Sequence, residues 1–141
     1  MSYWLLKSEP ETFSWDEQIK RGAKGEPWTG VRNHTAKNNL MKMNKGDRGF
    51  FYHSGKTREI VGIVEVIRAH YPDPTDPSGK FVAVDVKVVQ PMGKPVTLAA
   101  IRANPRLKDM AVIKFSRLSV QPVTAPEWAI VCKMGDVAET R

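Results

Sequence analysis

Six consecutive residues, Trp28-Thr29-Gly30-Val31-Arg32-Asn33, join an aromatic plate, a glycine, a guanidinium and a carboxamide. Packing alone does not ask for that set, because Arg and Asn are rarely buried without partners, whereas Trp is well suited to cover a flat ring. The grouping points to a pocket for a planar ligand that hydrogen-bonds at its edge. Arg32 and Asn33 also stand where a helical apolar period begins. The unpaired N–H groups of a helix N-terminus favour an anion such as a phosphate or carboxylate. Each residue has a plainer reading too: Trp28 as filler at the mouth of the fold, Arg32 as a surface ion pair, Asn33 as a helix N-cap. Two other groups carry polar chemistry. Lys7-Ser8 closes the first apolar segment, with Ser8 either meeting a ligand edge or capping the turn. Tyr52-His53-Ser54 sets a phenol, an imidazole and a hydroxyl at the end of a later segment.

Regular elements must bring these residues together. Residues 3–7 read as an apolar, aromatic opening strand broken by Glu9-Pro10. Ser14 and Glu17 have the spacing of a capping box and Gly22 that of a C-terminal stop, which predicts a helix over 15–21. Residues 25–30 read as a turn-rich connection. Ala36, Leu40 and Met43 form one stripe of a second helix over 33–43. Residues 49–54 and 59–70 read as neighbouring strands, and 71–79, with three prolines, as a loop. Over 81–89 valines alternate with Ala83, Asp85 and Lys87, the pattern of a half-exposed strand. Thr97 caps a short helix over 98–102, residues 117–123 form another strand, and Thr124 with Glu127 caps a last helix over 127–134. Strands outnumber helices and follow one another in antiparallel runs. This predicts an α+β fold: a twisted mixed β-barrel with short flanking helices, in a single domain over 1–141.

Composition narrows the function. Among 141 residues, 41% are hydrophobic and 26% charged, and no apolar run approaches the ~18 residues needed to cross a bilayer, so no membrane partner is expected. The single cysteine, Cys132, excludes an intramolecular disulfide, and the N-terminus lacks the apolar stretch of a secretory signal. A cytoplasmic location is the expectation. Spacing within the last helix reads Cys132 as a buried, inert thiol. The net charge of +7 favours a polyanionic partner through counterion release, yet the basic residues are scattered, without a block that would grip a duplex. His34, His53 and His70 show no metal-ligand spacing, and neither GxGxxG nor GxxxxGK[ST] occurs. No cofactor or metal is expected.

Several blocks together resemble a known family. Tyr3-Trp4-Leu5-Leu6-Lys7-Ser8-Glu9-Pro10, Trp28-Thr29-Gly30-Val31-Arg32-Asn33, Met43-Asn44-Lys45-Gly46-Asp47, Tyr52-His53-Ser54, Gly62-Ile63-Val64-Glu65-Val66 and Arg117-Leu118-Ser119-Val120-Gln121-Pro122 look like the signature blocks of the EVE domain, in the same order. The resemblance implies a PUA-like fold, related to PUA RNA-binding domains and to the YTH readers of N6-methyladenine. It implies a role in binding modified bases in DNA or RNA. The leading reading is a non-catalytic reader, and because extracting a paired base costs a few kcal/mol, a single-stranded or flipped base is expected. On the same resemblance, Lys7, Ser8, Trp28, Asn33, Tyr52, His53 and Ser54 line the pocket, and Arg32 joins them from the helix N-terminus. A second reading is a small hydrolase acting on a modified nucleoside, since PUA-like folds also host such enzymes and Lys7, Glu9, Tyr52 and His53 are titratable. A third is a small-molecule or protein-interaction module using the same pocket.

Overall fold

Side chains alternate across a strand, so apolar residues in succession must serve two cores. β1 (Tyr3–Ser8) does this: Leu5 packs on one face of the sheet, and Trp4 and Leu6 on the other. β3 (Arg48–His53) repeats the division, with Phe50 and Tyr52 beside Leu5 and Phe51 beside Trp4 and Leu6. The computed structural model describes residues 1–138. Its six strands, which also include β2 (Glu26–Trp28), β4 (Glu59–Pro72), β5 (Val82–Thr97) and β6 (Val120–Val123), lie in one sheet in the order β2-β5-β4-β3-β1-β6. β1 runs parallel to β3, with Lys7 opposite Tyr52 and Ser8 opposite His53, and the other pairs are antiparallel.

The α+β expectation holds, but the barrel is not closed. Among the described residues no ladder joins β2 to β6. These edge strands are three and four residues long. Helix α2 (His34–Lys42) packs against both β5 and β6, and Asn39 Nδ2 donates to Val120 O at 2.7 Å. A helix therefore bridges β5 and β6 where a closed barrel would use strand pairing. The register of β4 against β5 shifts at several points, the kind of irregularity that bends strands and increases twist.

Helix α1 (Trp15–Arg21) is held by a complete capping box between Ser14 and Glu17, and α5 (Ala125–Met134) by one between Thr124 and Glu127. α5 begins two residues before the expected start. α3 (Leu98–Ala103) is capped by Thr97. The structure adds elements absent from the sequence reading: β2 within the expected connection, 3-10 turns at Gly22–Lys24 and Pro105–Leu107, and α4 (Ala111–Lys114). β4 takes in Tyr71 and Pro72, β5 continues to Thr97, and residues 117–119 precede β6 rather than belonging to it. Local apolar patterning identifies the centres of these elements, whereas their ends follow their partners.

α1 can seat on the sheet because position 62 has no side chain. A Cβ on Gly62 would lie 2.2 Å from Trp15 Cζ2. On the opposite face Trp128 of α5 stacks on Phe50 at 3.9 Å between centroids and on Tyr3 at 4.5 Å. Cys132 is buried in that same core, as the helix spacing predicts. No helix among the described residues is long and apolar enough to cross a membrane.

Candidate functional site: a cavity beside Trp28

A cavity of about 450 Å³ opens where β1 ends. Lys7 and Ser8 line it from β1, Glu9, Thr12 and Phe13 from the turn that follows, the segment from Glu26 to Asn33 from β2 and its exit, and Ser119 from the approach to β6. Its size falls within the range of about 300–1,000 Å³ typical of small-molecule sites.

The aromatic wall is assembled around Phe51. Trp28 meets Phe51 edge-on at 5.5 Å and 86°, Trp15 does so at 5.3 Å, and the rings of Phe13 and His53 lie 6.4 and 5.7 Å away. Pairing of Trp28 with Val84 of β5 fixes the backbone beneath the indole. Trp28 is only 7% exposed, so it is a rigid wall whose uncovered surface lines the cavity, rather than a free plate. Phe13 is the second ring of the lining. Ser8 Oγ donates to Phe13 O at 2.5 Å, and Thr12 N and Phe13 N donate to Glu9 O at 2.9 Å, which closes the turn carrying that ring. With its proton committed, the Ser8 hydroxyl retains acceptor capacity.

Two cationic residues belong to the lining, Lys7 and Arg32, although Lys7 shares the strand face of its register partner Tyr52 and its Nζ lies 5.7 Å from that ring centre. Lys7 Nζ donates to Ser116 O at 2.8 Å, and burial pushes the ammonium below its usual range because desolvation disfavours the charged form. Arg32 Nη1 donates to Asp73 Oδ2 at 2.9 Å and Nη2 to Thr75 Oγ1 at 3.0 Å, while the guanidinium lies 5.5 Å from the Phe81 ring centre. The Asp73 side chain is fully buried. It also accepts from Gly30 N at 2.8 Å and from the N and Oγ1 of Thr75 at 2.7 Å each. Burial alone would raise the Asp73 carboxyl, but these donors outweigh it and bring it down to about 2. Gly30 sits at φ +83°, a conformation other L-residues rarely adopt, and there its N–H meets the carboxylate. Asp73 thereby fastens the cavity-lining segment to the loop that follows β4.

Asn33 lines the cavity and caps α2, its Oδ1 accepting from Ala36 N at 2.9 Å. The structure thus gathers Lys7, Ser8, Trp28, Arg32 and Asn33 on one cavity. Tyr52, His53 and Ser54 do not line it. Tyr52 follows Phe51 by one residue, so strand alternation sends its ring to the opposite core. His53 faces the same side as Phe51, but its Nε2 accepts from Trp15 N at 3.0 Å, so the imidazole caps α1. Burial lowers the pKa of His53, against opposing pulls from Glu59, Asp16 and Glu11. Ser54 N donates to Ser8 O at 3.0 Å, a backbone tie that extends the β1–β3 pairing. The sequence reading missed Asp73 and Phe13. An Asx-type turn at Asp73-Pro74-Thr75 and an apolar residue just before the N-cap Ser14 were the available signals.

A twisted α+β sheet with an aromatic cavity at the end of its first strand is a PUA-like architecture. Residues 2–134 match the EVE domain, and the chain belongs to that family. It is similar to Rpa0253 from Rhodopseudomonas palustris, solved by NMR, with 62% identity and a TM-score of 0.93 over 99% of this chain and 97% of that one. It is also similar to human THYN1, crystallised in complex with 5-methylcytosine containing DNA, with 31% identity and a TM-score of 0.90 over 99% of this chain and 100% of that one. The YTH domain of Zygosaccharomyces rouxii MRB1, solved with N6-methyladenosine RNA, matches at a TM-score of 0.59 and 16% identity over 99% of this chain and 87% of that one. That likeness is one of fold.

Proposed function

We propose that the chain is a non-catalytic nucleic-acid-binding module that admits a modified nucleobase of DNA or RNA into the cavity beside Trp28. One observation carries this reading: a cavity with an aromatic wall and two cationic residues in its lining, in a protein similar to one crystallised with 5-methylcytosine containing DNA. The base packs against Trp28 and Phe13 and offers its polar edge to Ser8 and Asn33. Lys7 and Arg32 lie beside the path of the phosphates.

Magnitudes limit what the cavity does alone. An aromatic stack contributes about 1–3 kcal/mol and each net hydrogen bond about 1 kcal/mol, so a free base binds in the millimolar to high-micromolar range. Extracting a base from a duplex costs a few kcal/mol, about what the cavity returns. The module therefore favours unpaired or already weakened positions, with backbone contacts supplying the remaining affinity.

The commitments of the polar groups support binding over catalysis. A nucleophile requires a base within hydrogen-bond reach. Ser8 Oγ donates to a backbone carbonyl, Lys7 Nζ to another, and His53 Nε2 accepts from a backbone N–H. Calorimetry with single-stranded oligonucleotides carrying 5-methylcytosine or N6-methyladenine tests the reading. Trp28→Ala is expected to weaken binding of the preferred oligonucleotide at least ten-fold while the unmodified control changes little. Absence of any binding that Trp28→Ala weakens rules the reading out.

A further inference from the structure

Beyond the base cavity, and resting on the reading just given, we propose that Phe115 is the stacking platform for a nucleotide neighbouring the admitted base, which makes the site a two-base subsite for a single strand. Phe115 is 57% exposed and, among the described residues, is the one aromatic ring that is both large and open to solvent. Its backbone is held firmly. Phe115 N donates to Ala111 O at 2.8 Å, and Phe115 O accepts from Leu118 N at 3.1 Å and from Gln121 Nε2 at 2.9 Å. Gln121 is 1% exposed, and its Nε2 also donates to Leu118 O at 2.9 Å, so a buried amide clamps both ends of the turn that presents the ring. A fixed backbone beneath an exposed ring is an arrangement that can receive a flat partner without first ordering the loop.

The occupant follows from position and charge. Phe115 lines a second hollow of about 440 Å³ together with Asn33, Thr35, Ser116, Arg117 and Leu118. Asn33 lines the base cavity as well, so the two hollows meet at that residue. Lys7, a lining residue of the first cavity, donates through its Nζ to Ser116 O in the wall of the second. Arg117 is exposed and makes no ion pair among the described residues, and Lys7, whose Nζ donates to Ser116 O and lies 5.7 Å from the Tyr52 ring centre, makes none either. A hydrophobic ring flanked by uncompensated cations, continuous with a base cavity, suits the next base and phosphate of an unpaired strand better than an apolar peptide.

The test uses DNA and RNA nonamers with a central 5-methylcytosine or N6-methyladenine, each prepared intact and with an abasic site on the 5′ or the 3′ side of the modified base. Affinities are measured for the wild-type chain and for Phe115→Ala, Phe115→Tyr and Trp28→Ala. For one of the two flanks, the abasic site is expected to weaken wild-type binding by roughly ten-fold, the scale of one lost stack. Phe115→Ala should weaken the intact nonamer by a similar factor and erase the difference between intact and abasic probes, whereas Phe115→Tyr retains both. If each abasic probe loses the same factor on wild type and on Phe115→Ala, or neither loses any, the platform is refuted. The base cavity then still stands on the Trp28→Ala result. If no nonamer binds the wild type, both readings fall. The exposure of Phe115 makes unchanged thermal unfolding of its variants a direct check that lost binding is local.

Discussion

At the residue scale, the shape of the candidate site depends on a carboxylate outside the cavity lining. Asp73 collects the Gly30 N–H, the Arg32 guanidinium and both donors of Thr75, so the wall from Trp28 to Asn33 has its position set from outside the cavity. Asp73→Asn keeps the shape but replaces an acceptor-only group with one that presents N–H₂ toward at least one existing donor. An unfolding free energy lower by about 1–3 kcal/mol is expected, read from urea midpoints, because a buried donor left unpaired carries a penalty of that size. Acid should reveal the same group. Its folded pKa of about 2 lies below the ordinary 3.8, so its contribution is present above about pH 4 and is lost as pH falls through 2. Wild type and Asp73→Asn should therefore converge in stability over that window, and a constant gap from pH 6 to pH 2 would contradict this role. The sequence shows Arg32 and the glycine before it, but their partner stands 41 residues after Arg32 in a proline-set loop. No local rule pairs them.

At the element scale, α1 is capped twice, by Ser14 in the usual manner and by His53 from β3, whose Nε2 accepts the Trp15 N–H. A protonated imidazole has no lone pair for that bond. Because the folded-state pKa of His53 is lowered, the unfolded chain binds the proton first as pH drops. Stability is then full above about 6.5 and declines as pH falls below it. Hydrogen exchange should show the first-turn amides of α1 losing protection between pH 7 and pH 5 faster than those of α5, and His53→Gln should flatten that difference. Equal losses in the two helices would count against the second cap. Elements announced by contiguous residues were legible: the Ser14 and Thr124 capping boxes, the alternation of β5 and the stripe of α2. β2 was not, because Glu26-Pro27-Trp28 is a strand by virtue of pairing with Val84 to Val86. Likewise the motif Tyr52-His53-Ser54 reads as one site along the chain, while the pleat sends Tyr52 to the far core and leaves His53 under α1.

At the scale of the whole molecule, the charge of +7 and the local cations make separate predictions for salt. Scattered lysines and arginines accelerate encounter with any polyanion, but they are screened beyond about 8–10 Å at physiological ionic strength. Equilibrium salt dependence counts the phosphates neutralised in the complex, with a slope of log K against log salt of about −0.7 per contact for a single strand. Arg32 counts little, since Asp73 already neutralises it at 2.9 Å. Lys7 and Arg117 remain, so a slope of about −1.4 is expected for a short strand spanning both hollows. Lys7→Gln or Arg117→Gln should each reduce it to about −0.7 with little regard to sequence, and the two together should nearly abolish it. Titrations at several salt concentrations check this directly. A slope near zero for the wild type would favour a neutral small molecule or a peptide in the cavity, and a slope several times steeper would place the strand across a wider basic face than the two hollows provide.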